Sequence, residues 1–153
     1  IDVRDALCLD VGQGSGGFTD VLLRQGAARV IGVDVGHGQL HPSLRADPRV
    51  FVLEGVNARY LEAAALPVTR FDLVTGDLSF ISLTLVLPAL APLVGAELLM
   101  LVKPQFELQA ADLGKGGVVR DAAAFVAVEQ RIRAACASLE LGVTDWFESA
   151  VTG

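Results

Sequence analysis

The stretch Ala6-Leu7-Cys8-Leu9-Asp10-Val11-Gly12-Gln13-Gly14-Ser15-Gly16-Gly17-Phe18 passes from an apolar strand pattern through four glycines in six positions into the helical pattern of 18–25. Strand, glycine loop and helix in that order form a ligand loop of an α/β sheet. Glycines let a ligand approach the backbone closely, and the helix N-terminus offers free amides. A plain strand-to-helix turn does not need four glycines. Gly12, Gly14, Gly16 and Gly17 are therefore candidate cofactor-binding residues. Phe18 either borders the same site or packs into the core from the first turn of the helix.

Working outward, short apolar runs alternate with helical patterns, the signature of a parallel sheet covered by helices on both faces. After the first strand, 6–11, strands are predicted at 29–35, 50–53, 71–75 and 98–102, and a sixth begins at 143–150. Helices are predicted near 18–25, ending at Gly26, near 58–65, from 81 to about 90, and over 121–141 with Asp121 as its cap. A polar, glycine-rich loop fills 105–119. The expected architecture is a three-layer, mostly parallel Rossmann-like sheet.

The chain has 153 residues, 52% of them hydrophobic, 20% charged and 6% aromatic, with a mean hydropathy of +0.52. That suits one domain with one substantial core and excludes a disordered chain. Two cysteines, Cys8 and Cys136, cannot staple a chain of this length, and they read as buried reduced thiols. The most apolar window, 81–102, is interrupted by Pro88, Pro92, Gly95 and Glu97, so it reads as a helix followed by a strand and not as a membrane span. No signal or transit peptide is visible at Ile1-Asp2-Val3-Arg4-Asp5, and the cytoplasm is the expected compartment. His37 and His41 lack partners at metal spacing and read as loop residues, so no metal site is expected. The net charge of -6 argues against a nucleic acid held by bulk charge.

Asp34 closes the second strand, where an acid accepts both ribose hydroxyls of a nucleoside ligand. Asp10 bears on which nucleoside. A carboxylate two residues before Gly12 repels a pyrophosphate, whereas the sulfonium and ammonium of S-adenosylmethionine are cations. The spacing of Gly12, Gly14 and Gly17 nevertheless fits a nicotinamide-binding oxidoreductase, and that reading stays open here. Asn57, just beyond the third strand, is either an adenine contact or a turn former.

Working groups of open α/β sheets sit at the carboxyl ends of strands. Asp77 follows the fourth strand and Lys103 the fifth, so neighbouring strands would bring them to one site. Ten of the twelve basic residues are Arg. Lys at position 103 keeps an amine able to lose its proton, which a guanidinium is not. Lys115, in Gly114-Lys115-Gly116-Gly117, is a weaker candidate for a phosphate contact. Where amine-methylating enzymes carry an Asn-Pro-Pro-Tyr type motif, this chain has Asp77-Leu78-Ser79-Phe80.

Five runs together carry a resemblance: 9–20, 33–40, 77–83, 101–107 and 114–121. In that order they resemble the TlyA family of ribosomal-RNA 2′-O-methyltransferases, often labelled hemolysin A and related to FtsJ-type enzymes. The resemblance implies a class I methyltransferase fold, S-adenosylmethionine as cofactor, a ribosomal RNA or ribosomal subunit as partner, and a catalytic lysine, aspartate, lysine and glutamate set. Asp77 and Lys103 match the middle two, and Asp77 would also orient the cofactor's methyl end. The other two are expected before Ile1 and after Gly153. So are an N-terminal RNA-binding domain and a last strand, which makes residues 1–153 a single methyltransferase domain of a longer protein. The family's old name prompts a third reading, a non-catalytic cytolysin, for which the sequence offers no amphipathic or spanning segment.

Overall fold

The computed structural model describes residues 1–109, 111, 113, 119 and 121–151. Its centre is a five-stranded sheet of order β3-β2-β1-β4-β5, made by β1 (Leu7–Val11), β2 (Arg29–Val33), β3 (Val50–Leu53), β4 (Phe71–Gly76) and β5 (Val94–Met100). All four pairings are parallel, and the inner strands β1, β2 and β4 are the apolar runs buried on both faces. The chain moves from β1 outward to β3, then returns to β4 on the other side of β1. Beside the carboxyl ends of β1 and β4 the strand order reverses, which opens a crevice there.

Side-chain alternation assigns the two faces. Cys8, Val30 and Leu73 pack with Leu22 and Leu23 of α1 (Gly17–Arg24). Leu9, Val11, Ile31, Val33 and Val74 pack with Val86 and Leu90 of α3 (Leu83–Leu90). Leu83 and Leu87 on the far side of α3 meet Val128, Ile132 and Cys136 of α5 (Ala122–Ser138). Asp121 caps α5 as expected, its carboxylate accepting from the Ala123 amide at 2.9 Å. Two short helices, α2 (Pro42–Arg45) and α4 (Pro104–Glu107), follow β2 and β5. Both cysteines are buried and free, and burial pushes the Cys8 thiol up to about 11, so it is protonated at neutral pH.

Several expectations need correction. The helix expected near 58–65 is two separate 3₁₀ turns, Ala58–Tyr60 and Ala63–Ala65. Leu61 and Glu62 between them are extended, which drives Leu61 into the core and interrupts the helical ladder. The fifth strand starts at Val94, four residues before the predicted start, because the turn Ala91–Leu93 ends the preceding helical region. Residues 105–107 belong to α4 and not to a loop. Residues 143–150 form no strand. Their half-buried side chains, Val143 and Trp146, pack against the α3/α5 cluster at a spacing of three, which breaks the two-residue alternation that a strand needs. No helix among the described residues is long and apolar enough to cross a membrane.

Phe71, 1% exposed at the start of β4, anchors the larger cluster. Phe71→Ala is expected to lower the free energy of unfolding by about 3–5 kcal/mol, read as a fall in the urea midpoint.

Candidate active site

At the crevice, Val11 leaves β1 and the chain turns sharply at Gly12, φ 76°. A Cβ at Gly12 would stand 2.2 Å from the Asp77 carbonyl oxygen, so the exits of β1 and β4 touch backbone to backbone. Gly16 is also left-handed and caps α1, and a Cβ there would strike Leu40 and Leu44. These two glycines close the loop against the protein. Gly14 and Gly17 have open space above them, with no atom within 3.9 Å of a Cβ at the first and none within 4 Å at the second. The loop thus has a packed side and a free side, and the free side is a cradle for a ligand.

Asp34 follows β2, as expected, and holds the loop. One carboxylate oxygen accepts from the Gly14 amide and the other from the Gly36 amide, both at 2.7 Å. Each oxygen keeps a second lone pair for a ribose hydroxyl.

Asp10 lies elsewhere than its sequence position suggested. It is 1% exposed, beneath the loop on the α1 side of the sheet. Its carboxylate accepts from Thr19 Oγ1 at 2.6 Å and Thr75 Oγ1 at 3.4 Å, and Gln13 Nε2 donates to the same Thr19 hydroxyl at 2.9 Å. Burial pushes its pKa up to about 6, against the pull of the Thr19 and Thr75 hydrogen bonds. The group closed off here ties β1, β4 and α1 together and does not face the free side of the loop. Phe18 is half-buried at the start of α1. Asn57 is exposed and caps a 3₁₀ turn through the Arg59 amide at 3.0 Å.

The fourth and fifth strands are neighbours, and the structure brings Asp77 and Lys103 together. Lys103 Nζ lies 2.6 Å from Asp77 Oδ1, a charge contact whose angles leave the buried Oδ1 without an aligned hydrogen bond. The same ammonium donates to Ser79 Oγ at 2.9 Å. Lys115 lies outside the described residues.

Beyond this pair opens a cavity of about 610 Å³, lined by Asn57, Arg59, Tyr60, Phe80, Leu85 and Phe106 among others. Sequence reasoning missed it. Phe80 is 91% exposed at φ 63°, an uncommon backbone for a bulky residue, with its ring 5.2 Å from that of Phe106. Arg59 lies over the ring of Tyr60 at 5.4 Å. The available signal was an aromatic residue next to Ser79 and another three residues after Lys103, in segments that begin where the strands end.

A family model for FtsJ-like methyltransferases matches residues 1–153. The chain belongs to the FtsJ-like methyltransferase family. Within it, the chain is 55% identical over 123 residues to the 16S/23S rRNA (cytidine-2′-O)-methyltransferase TlyA of Mycobacterium tuberculosis, a match covering 79% of this chain and 46% of that protein. It spans about half the length of the curated relatives it matches. A solved structure described as a hemolysin of Streptococcus thermophilus is 40% identical and superposes with a TM-score of 0.87 over 91% of this chain and 51% of that one. An S-adenosylmethionine-dependent methyltransferase of Mesorhizobium loti, 19% identical, has a TM-score of 0.58 over 72% of this chain and 52% of its own, a likeness of fold alone. Membership of the FtsJ-like methyltransferase family sets aside the nicotinamide oxidoreductase.

For an acid whose folded pKa exceeds its unfolded value, the folded state binds the extra proton, so stability falls as pH rises between the two values. For Asp10 these are 3.8 and about 6. Between pH 4 and pH 7 the stability difference is expected to move in favour of Asp10→Asn by up to about 3 kcal/mol, measured by chemical denaturation of both proteins across that range.

Proposed function

We propose that this chain is the catalytic domain of an S-adenosylmethionine-dependent enzyme that methylates a ribose 2′-hydroxyl of ribosomal RNA. The observation that carries the reading is the Lys103 amine held at Asp77 and Ser79, one strand over from the glycine loop. The family match supports the reaction class, and the rRNA 2′-O-methyltransferase name of the mycobacterial relative supports the substrate.

The donor set fits the cofactor. Asp34 presents acceptor lone pairs at the end of β2, and the backbone at Gly14 and Gly17 is open on the free side of the loop. Asn57 would stand near the adenine and Phe18 near the loop's mouth. Asp10 supports the loop from below. S-adenosylmethionine supplies, when bound, an electrophilic methyl group on a sulfonium.

The remaining work falls to this chain's residues. A ribose hydroxyl is a weak nucleophile and needs in-line placement with help for the charge that develops on its oxygen. Lys103 has three donors. As an ammonium it donates to Ser79, rests its charge against Asp77 and turns a further donor to the oxyanion that develops on the 2′-oxygen; as the neutral amine it takes the hydroxyl proton on its lone pair instead. Asp77 fixes the amine and the methyl end of the cofactor. The Phe80 end of the cavity receives the substrate base, with the Phe80 ring as a stacking face, and its Asn57 end adjoins the cofactor's adenine. RNA held in this way needs little bulk charge, which agrees with the net charge of -6.

Lys103→Ala in the full chain is expected to reduce methyl transfer to ribosomal subunits by at least about 100-fold and to leave the calorimetric affinity for S-adenosylmethionine within a few-fold. Retained turnover would overturn the role given to Lys103. Binding of NAD with no heat from S-adenosylmethionine would overturn the cofactor.

A further inference from the structure

Asp10 and Glu107 are the two buried carboxylates among the described residues, and the mechanism above uses neither directly. Glu107 is 3% exposed and ends α4, the single helical turn that follows Lys103. Its Oε1 accepts from the Leu83 amide at 2.7 Å and its Oε2 from Ser82 Oγ at 2.5 Å. Ser82 is the N-cap of α3 and receives the Thr84 amide at 3.2 Å. The Glu107 backbone carbonyl accepts from Arg131 Nη1 of α5 at 2.7 Å. No cation lies within ion-pair distance of its carboxylate among the described residues. A buried charge satisfied only by hydrogen bonds and a helix N-terminus is costly to keep in a fold, and a neutral amide could fill the same space.

What it joins explains its place. The β4–β5 ladder ends at Gly76 and Met100, with one further bond from the Leu101 amide to the Gly76 carbonyl. Past that point Asp77–Ile81 and Lys103–Phe106 belong to no common sheet. They are held at their near end by the ladder and at their far end by Glu107 on Ser82 and Leu83. Between these two ties lie the Asp77–Lys103 contact, the Lys103–Ser79 hydrogen bond and the Phe80–Phe106 pair.

We propose that Glu107 is a positioning residue for the Asp77–Lys103 pair: it fixes the distance between the two strand exits so that the amine, Ser79 and Phe80 face one substrate nucleotide. This rests on the methyltransferase reading above. Glu107 touches neither cofactor nor substrate. Removing it lets α4 move against the start of α3, and a displacement of about 1 Å at a reacting group costs up to about 100-fold in rate. Asp34, at the end of β2, lies beyond β1 from this tie, and the Asp77 backbone against Gly12 is held from the near end by the Val11 carbonyl.

The test compares Glu107→Ala, Glu107→Gln and Ser82→Ala in the full chain, on ribosomal subunits from cells lacking the gene. Turnover and KM are followed with labelled S-adenosylmethionine, cofactor affinity by calorimetry and the folded fraction by circular dichroism. Glu107→Ala is expected to lower kcat per folded molecule by about tenfold or more, with cofactor affinity within twofold. Glu107→Gln, which keeps the shape and one acceptor, recovers a large part of the loss. Ser82→Ala, which removes one of the two partners, shows a smaller fall in kcat and serves if Glu107→Ala does not fold. A kcat within twofold of wild type in the folded variants, or a loss shared equally by turnover and cofactor affinity, overturns the proposal. An active Lys103→Ala would instead sink the functional reading, whereas an inactive Lys103→Ala beside a fully active Glu107→Ala sinks only the positioning role.

Discussion

The approach of two backbones at the sheet's switch point governs the rest of the molecule. Gly12 stands where any side chain would strike the Asp77 carbonyl, and the Asp77 amide donates to the Val11 carbonyl at 3.0 Å. Because β1 and β4 exit in contact, the glycine loop and the segment beginning at Asp77 share one crevice. Lys103 joins them from the next strand over. A wider separation would place the cofactor cradle and the amine on different surfaces, however well each was formed.

Two buried carboxylates brace this arrangement from opposite sides, and neither has a direct counter-ion among the described residues. Asp10 fastens β1 to α1 and β4 through threonine hydroxyls, while Glu107 fastens α4 to α3 through a serine hydroxyl and an amide. In each case the acid spends its hydrogen-bonding capacity within the scaffold, and the half-buried acids, Asp34 and Asp77, are left at the crevice. Burying a charge costs stability. What it secures is direction, since a carboxylate with two satisfied oxygens fixes the relative placement of the elements that supply the donors.

The sheet was readable because its strands are short apolar runs bounded by glycine, aspartate and proline, and four of the five were placed with small shifts at their ends. The Asp77–Lys103 meeting followed from strand-end logic alone. Asp10 shows what such reading leaves out: its position before Gly12 says nothing of its burial, whereas its even spacing from Cys8 puts it on the face covered by α1. The alanine-rich 58–65 looked helical by propensity, yet Leu61 in the core outweighed it. Residues 143–150 looked like a strand by composition, but Val143 and Trp146 pack at the wrong interval for one. Glu107 closes the 101–107 run that carries the resemblance, but nothing in the run points to its partners, which lie 24 and 25 residues away and meet it only after α3 and α4 have docked. Phe80 was quoted within a motif, but its exposure depends on a left-handed backbone that composition does not reveal.

Asp34 carries a kinetic consequence. Its two oxygens already hold Gly14 and Gly36, so the loop has its shape before any nucleoside arrives. A ligand then meets a preformed surface, with little ordering of the chain to oppose it. At this part of the site encounter proceeds at the pace of diffusion and orientation, and changes in affinity fall chiefly on how long the ligand stays.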